Sequence, residues 1–158
     1  MLLGLGAVLF LPLLFTPVQL GGVTLDTGTM IFAATFIITG FQLIWFHALA
    51  RLFAVRMNLL PTSPQFERLR ARLSVDTACQ VGAVFLLMAF LATVASVGFW
   101  ASRGFGSLDA ATITRTASLV AVLAALGVQS VTNGFLWGLL TQKAPVAAPE
   151  PEAEPAQV

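Results

Sequence analysis

Four long stretches of this chain carry no charged side chain. They run from Met1 to Leu25 (apolar mainly through Leu20), Thr27 to Ala50, Thr77 to Ser102 and Thr116 to Gln142. A helix that crosses a bilayer needs roughly 20 mostly apolar residues. A charge at mid-bilayer costs about 2.5–3.5 kcal/mol on insertion scales, so charge-free runs of this length are a membrane signature. The composition agrees. Only 9% of the 158 residues are charged and 58% are hydrophobic, where a soluble domain carries about 25% charged residues. That excludes an ordinary soluble enzyme and excludes disorder for most of the chain. A formal net charge of +1 gives no sign of a nucleic-acid partner. One cysteine, Cys79, leaves the redox compartment open. The expected fold is all-α and integral to a membrane, with four transmembrane helices in residues 1–143. The Pro-, Ala- and Glu-rich residues 144–158 have too little apolar bulk to order themselves and are expected to form a disordered cytoplasmic tail.

The first run is the weakest of the four. Pro12 and Pro17 kink or end a helix there. A signal peptide is the competing reading, but no basic residue precedes the apolar core and no small-x-small cleavage site follows it. A membrane segment is favoured, and its apolar run starts at Met1 with no leader. Orientation follows from Lys and Arg in the loops. Arg51, Arg56, Arg68, Arg70 and Arg72 lie between runs two and three, and Arg103 and Arg115 between runs three and four. Five against two places the middle segment in the cytoplasm. With four crossings, both termini are then cytoplasmic.

Three connecting segments carry information. Gly21-Gly22-Val23-Thr24-Leu25-Asp26-Thr27-Gly28 reads as a tight outer turn. A phosphate cradle is disfavoured, since it needs a Lys and a preceding strand. In the middle segment, Ser63 suits a helix cap and Pro64 a first turn. Phe66, Leu69 and Leu73 then fall near one face, with Glu67, Arg68, Arg70 and Arg72 mostly away from it. This is a short basic amphipathic helix suited to the headgroup region. Its arginines can meet anionic lipid phosphates, at about 1 kcal/mol each; a topology determinant without a specific ligand is the plainer reading and is favoured. In the second outer turn, Asp109 is placed to cap the last helix.

Polar side chains inside the runs are few: Gln42 and His47, then Gln80, then Gln129, Ser130, Thr132 and Asn133. Gln129 and Asn133 are four residues apart and share a helical face, and Gly134 and Gly138 permit close helix approach. Packing within the bundle is the favoured explanation, with a polar pathway for a lipid headgroup as the alternative. His47, about a turn from Arg51, is read as a neutral interface residue in preference to a proton relay. One His and one Cys are too few for a zinc site. Asp26, Asp76 and Asp109 are isolated. No Asp-x-Asp is present to hold a divalent cation and a nucleotide-sugar diphosphate, and no Ser–His–Asp set is plausible. No catalytic residue and no cofactor is expected, so the chain is not a self-sufficient enzyme.

Two stretches resemble the membrane region of bacterial family-2 glycosyltransferases of the dolichol- or polyprenol-phosphate sugar synthase type. One comprises Gly21-Gly22-Val23-Thr24-Leu25-Asp26, Thr29-Met30, Gly40-Phe41-Gln42-Leu43 and Leu49-Ala50-Arg51. The other comprises Gly106-Ser107-Leu108-Asp109, Leu126-Gly127-Val128-Gln129, Phe135-Leu136 and Gly138-Leu139-Leu140. The resemblance covers most of residues 1–143. In that family a cytoplasmic nucleotide-binding domain, carrying the Asp-x-Asp and the metal, precedes the membrane helices, and a sugar passes to a lipid phosphate at the inner face. The sequence begins where that membrane region would begin, so no catalytic position carries over.

The resemblance implies a non-catalytic module of the bacterial inner membrane. Such a module would anchor, oligomerise or present a lipid-phosphate acceptor for a glycosyltransferase whose catalytic part lies elsewhere. Its expected partners are anionic or polyprenyl-phosphate lipids, a glycosyltransferase catalytic subunit and further subunits in a homo- or hetero-oligomer. Arg51, Arg56, Arg68, Arg70 and Arg72 are the candidate headgroup contacts. A small flippase for a lipid-linked sugar is the alternative.

Overall fold

In the computed structural model the described residues are 1–20, 22–107 and 109–142. They are mostly helical. Three helices are long and apolar enough to cross a membrane: α2 (Thr27–Arg56), α4 (Val75–Ser102) and α5 (Ala110–Thr141), of 30, 28 and 32 residues. A shorter apolar helix, α1, spans Leu2–Phe15, and the basic helix α3 spans Pro64–Arg72. The expected tail, 144–158, lies outside the described residues.

The first run does not form a full-length span. α1 has 14 residues, about 21 Å at 1.5 Å per residue, against a hydrocarbon core about 30 Å thick. Pro17 explains the stop. The residue before a proline is pushed out of the α region, and Thr16 is extended, with φ −146° and ψ 148°. The chain then forms a small antiparallel hairpin, β1 (Val18–Leu20) with β2 (Val23–Leu25), Leu20 facing Val23. In the turn between them Gly22 takes φ +87°, a conformation glycine adopts at no steric cost. The segment read as a simple turn is thus a two-stranded ribbon that leads straight into α2.

α1 runs back along the first half of α2. Gly6 sits against the backbone of Ala33 and Ile37, and Gly40 against Leu3, with no room for a Cβ at either glycine. Phe10, Leu13, Met30, Ala33 and Ile37 are buried in this seam. α4 and α5 form a second antiparallel pair on the same plan. Gly82 meets Val131 and Gly127, and a Cβ on Gly134 would collide with the Ala78 methyl. The Gly134/Gly138 pair expected from sequence is therefore filled from within the chain, by Ala78 and Val75. Without a hydrophobic drive between helices in lipid, small residues gain association through dispersion contacts at close range.

α2 and α5 run parallel and join the two pairs. The hydroxyls of Thr35, Thr93, Ser96, Thr114, Thr116, Ser130 and Thr141 all donate to carbonyls of their own helix, so these polar side chains bring no unpaired donor into the apolar layer. One end of the bundle carries the hairpin, the 103–107 turn and Asp109. The other, the arginine end, carries the 57–74 segment and α3.

Candidate functional site at the arginine end

α2 ends where Asn58 turns to φ +56°, a left-handed conformation that Asn tolerates better than most residues. The chain then doubles back beneath the bundle. Ser63 accepts the Phe66 amide at its hydroxyl, and its carbonyl accepts the Phe66 and Glu67 amides, starting α3. The cap and the helix read from sequence are both present. Phe66 is buried against Trp137 of α5, with ring centroids 6.2 Å apart, and Ala48 and Leu52 complete this small core. Glu67, Arg68 and Arg70 are exposed. α3 is therefore pinned by one aromatic residue, with charges on its outer side.

The five arginines grouped by sequence separate into different environments. Arg51 donates to the Ser63 hydroxyl at 2.7 Å, and its guanidinium lies 5.2 Å from the Phe66 ring centroid. It ties α2 to the start of α3 and adds a cation–π contact. Arg56 donates to the carbonyls of Leu139 and Leu140. The last carbonyls of a helix lack internal donors and bear its partial negative charge, so Arg56 caps α5 from a different helix. Arg68 and Arg70 make no hydrogen bond or ion pair among the described residues, and Arg70 borders a cavity of 230 Å³ shared with Arg56 and Gln142. The backbone of Arg72 closes α3.

The intramembrane polar residues are likewise divided. Asn133, which is buried, donates to Gln42 at 3.2 Å and to the carbonyl of Gln129 at 2.8 Å. This joins α2 to α5 midway along the bundle. The side-chain oxygen of Gln129 is buried with no partner among the described residues. Gln80 and His47 are exposed on the helix surface, away from that pair. His47 borders an open cavity of 630 Å³ with Ala50, Arg51, Ala54 and the 60–63 segment.

At the hairpin end, Asp26 is not isolated. It stands at the N-cap of α2 without capping it, because its carboxylate faces Arg115 of α5 at 3.5 Å. Nothing in the sequence links these residues, which lie 89 positions apart. Asp109 does cap α5, accepting from the Thr112 amide at 3.3 Å. Asp76 lies in the first turn of α4 beside the Ser74 cap.

Residues 48–141 match the glycosyltransferase family 2 C-terminal transmembrane region. The match takes in the arginine end of α2, α3, α4 and α5; the similar runs between Gly21 and Leu43 lie outside it. No curated protein and no solved structure matches the chain. The matched segment contains two of the three long apolar helices and the end of the third. The protein is a multi-pass membrane protein that belongs to the glycosyltransferase family 2 C-terminal transmembrane region family, and its link is to a glycosyltransferase and to membrane lipids.

Proposed function

We propose that this chain is the non-catalytic membrane module of a family 2 polyprenol-phosphate glycosyltransferase, holding a catalytic polypeptide and its lipid-phosphate acceptor at the cytoplasmic face of the inner membrane. The observation that carries this reading is the family match over 48–141. The arginine count supports the orientation, because basic residues collect on the cytoplasmic side. In this topology α1 heads back toward the cytoplasm as the fourth element of the membrane domain, and both ends of residues 1–143 face that side.

The headgroup contacts are assigned to the arginine end. The exposed Arg68 and Arg70, with Arg72 as the third arginine of α3, supply the positive charge, and Arg51 and Arg56 hold the scaffold. Gln129 and the buried Asn133 serve as packing between α5 and α2, with Gln42 meeting Asn133 from an exposed position on α2, while Gln80 and His47 stand on the surface. Purification of the tagged chain from its native membranes tests the proposal. A family 2 glycosyltransferase polypeptide is expected to co-purify, and its transferase activity is expected to fall when Arg68 and Arg70 are both changed to Ala. Absence of any associated transferase, with no lipid-phosphate-dependent effect, sinks the reading.

A further inference from the structure

The α4–α5 seam changes character along its length. Toward the arginine end, Gly82, Gly127, Gly134 and Gly138 bring the two helices together with no room for a Cβ at any of them. Toward the hairpin end, α5 has no glycine from Ala110 to Leu126, and a Cβ on Gly98 of α4 would meet nothing within 4 Å. A cavity of 300 Å³ lies between the helices there, with Thr93, Ser96 and Trp100 of α4 on one side and Ile113, Thr116 and Val120 of α5 on the other. It follows α4 for about two turns, roughly 10 Å at 1.5 Å per residue. Ala89, one turn inward of Thr93, is buried and closes its inner end. The hydroxyls of Thr93, Ser96 and Thr116 donate to carbonyls of their own helices, so the wall they line presents apolar groups.

The rim is aromatic and charged. Trp100 donates its indole N–H to the Gly106 carbonyl at 2.9 Å, and Phe105 packs edge-on against it at 5.1 Å. Phe105 takes φ +56°, uncommon for a bulky residue, so the 103–107 turn is folded tightly onto the end of α4. Tryptophan favours the headgroup level of a bilayer. Of the four charged groups at this end, Asp26 and Arg115 meet each other, whereas Arg103 and Asp109 make no ion pair among the described residues. The Arg103 guanidinium lies 4.6 Å from the Phe99 ring centroid. Stacking engages its flat face and leaves its in-plane N–H donors free. Asp109 accepts the Thr112 amide at one carboxylate oxygen; the other makes no bond among the described residues. Phe99 and Thr112 both line the cavity, so a cation stands on its α4 side and a carboxylate on its α5 side.

We infer that this wedge is a lipid site: it seats one acyl chain of an amine-bearing zwitterionic phospholipid, whose phosphate meets Arg103 and whose ammonium meets Asp109. The apolar wall suits a hydrocarbon chain and offers a sugar no free donor. A wedge closed at its inner end admits a chain that enters from the headgroup level, whereas a helix, about 10–12 Å across, needs a groove along the whole layer. The rim pairs one positive with one negative group, which matches a zwitterion better than a lipid of net negative charge. A primary ammonium also brings N–H donors to the carboxylate, which a quaternary ammonium lacks.

Native mass spectrometry of the full chain tests the inference. The protein is extracted from vesicles holding phosphatidylethanolamine, phosphatidylcholine and phosphatidylglycerol in equal amounts with identical acyl chains. One phosphatidylethanolamine is expected to stay bound, about fivefold over either other lipid, the scale of one exposed ion pair. Arg103→Gln and Asp109→Asn should each bring the three lipids close to parity; Asn still caps a helix, so the second change removes the charge and keeps the start of α5. Ala117→Phe, on the cavity wall, should expel the lipid, while Leu91→Phe, on the exposed side of α4, leaves it bound. If Ala117→Phe does not fold, the two rim variants carry the test. A preference for phosphatidylglycerol, equal retention of all three lipids by the wild type, retention unchanged in both rim variants, or a second copy of this chain in place of lipid overturns the inference.

Discussion

The two contacts made by α5 use opposite chemistry. Against α4 it presents Gly127, Gly134 and Gly138, and the seam closes on Ala78, Gly82 and Leu86 with no side-chain hydrogen bond across it among the described residues. Against α2 it is held by polar ties at three depths: Arg115 with Asp26, Asn133 with Gln42, and the Leu139 and Leu140 carbonyls with Arg56. The first seam is antiparallel and joined by a short loop, so its register follows largely from connectivity and close fit. The second joins parallel helices that are distant in sequence. Apolar surfaces alone slide past one another at little cost in lipid, so discrete polar ties are a physical means of fixing that register. The ties occur near both ends and the middle, where they oppose both translation and tilt.

Overpacking the tight seam breaks the comparison most severely. Gly134→Leu must displace Ala78 and push α4 away from α5. Insertion into a well-packed interior costs about 1–3 kcal/mol and occasionally more, and this site lies against a neighbouring helix with no gap to absorb the change. A large drop in the unfolding midpoint by steric trapping in bilayers is expected. An unchanged midpoint would show that the α4–α5 seam is loose.

The polar seam predicts a smaller, pairwise effect. Asn133→Leu and Gln42→Leu each remove one partner of the mid-bundle bond. Hydrogen bonds between membrane helices average about 0.6 kcal/mol in double-mutant cycles and reach about 1.7. The coupling between the two substitutions should fall in that range, and additivity would mean the bond contributes nothing. Asn133→Leu alone is expected to exceed Gln42→Leu, because Asn133 is buried and also donates to the Gln129 carbonyl.

Arg56→Ala comes next. It frees the Leu139 and Leu140 carbonyls, and a favourable charge at a helix C-terminus is worth about 0.3–1 kcal/mol. Faster amide exchange confined to the last turn of α5 is the expected readout, with Arg56→Lys restoring part of the protection. Loss of protection across both α2 and α5 would contradict a local cap.

Legibility in the sequence follows the range of each interaction. The long apolar helices, the Ser63 start of α3 and the Asp109 cap rest on neighbours within one or two turns, and periodicity and cap chemistry expose them. α1 is shorter than its charge-free run because Pro17 ends it. Lack of charge is permissive for a span, whereas a proline acts directly on the backbone of Thr16. The Gly21-Gly22 pair is itself a hairpin signal, short enough to be masked by the apolar run around it. At the candidate site, the arginines could be grouped only by proximity in sequence. The Arg56 cap depends on α5 arriving from more than 80 residues away, and the Arg51 tie on the chain doubling back to bring Ser63, 12 residues on, against α2. The Arg115–Asp26 pairing was hidden for the same reason.

That last pair should give the smallest effect and the most discriminating one. Arg115 and Asp26 are joined by a single 3.5 Å contact, and their side chains are 22% and 49% exposed. Solvent and salt screen such a pair, and exposed ion pairs typically contribute about 0.2–1 kcal/mol. Asp26→Asn is therefore expected to shift stability by less than either change in the mid-bundle pair, and the shift should shrink as salt is raised. Topology is expected to be insensitive to this substitution. Orientation follows the Lys and Arg bias, to which acidic residues contribute little, and Asp26→Asn leaves that bias unchanged. Cysteine accessibility from each side of the membrane reads this directly. Asp26→Asn should leave the distribution of orientations as in the wild type, so that the pair acts as a register device only. A raised fraction of inverted chains would show that Asp26 masks Arg115 during insertion.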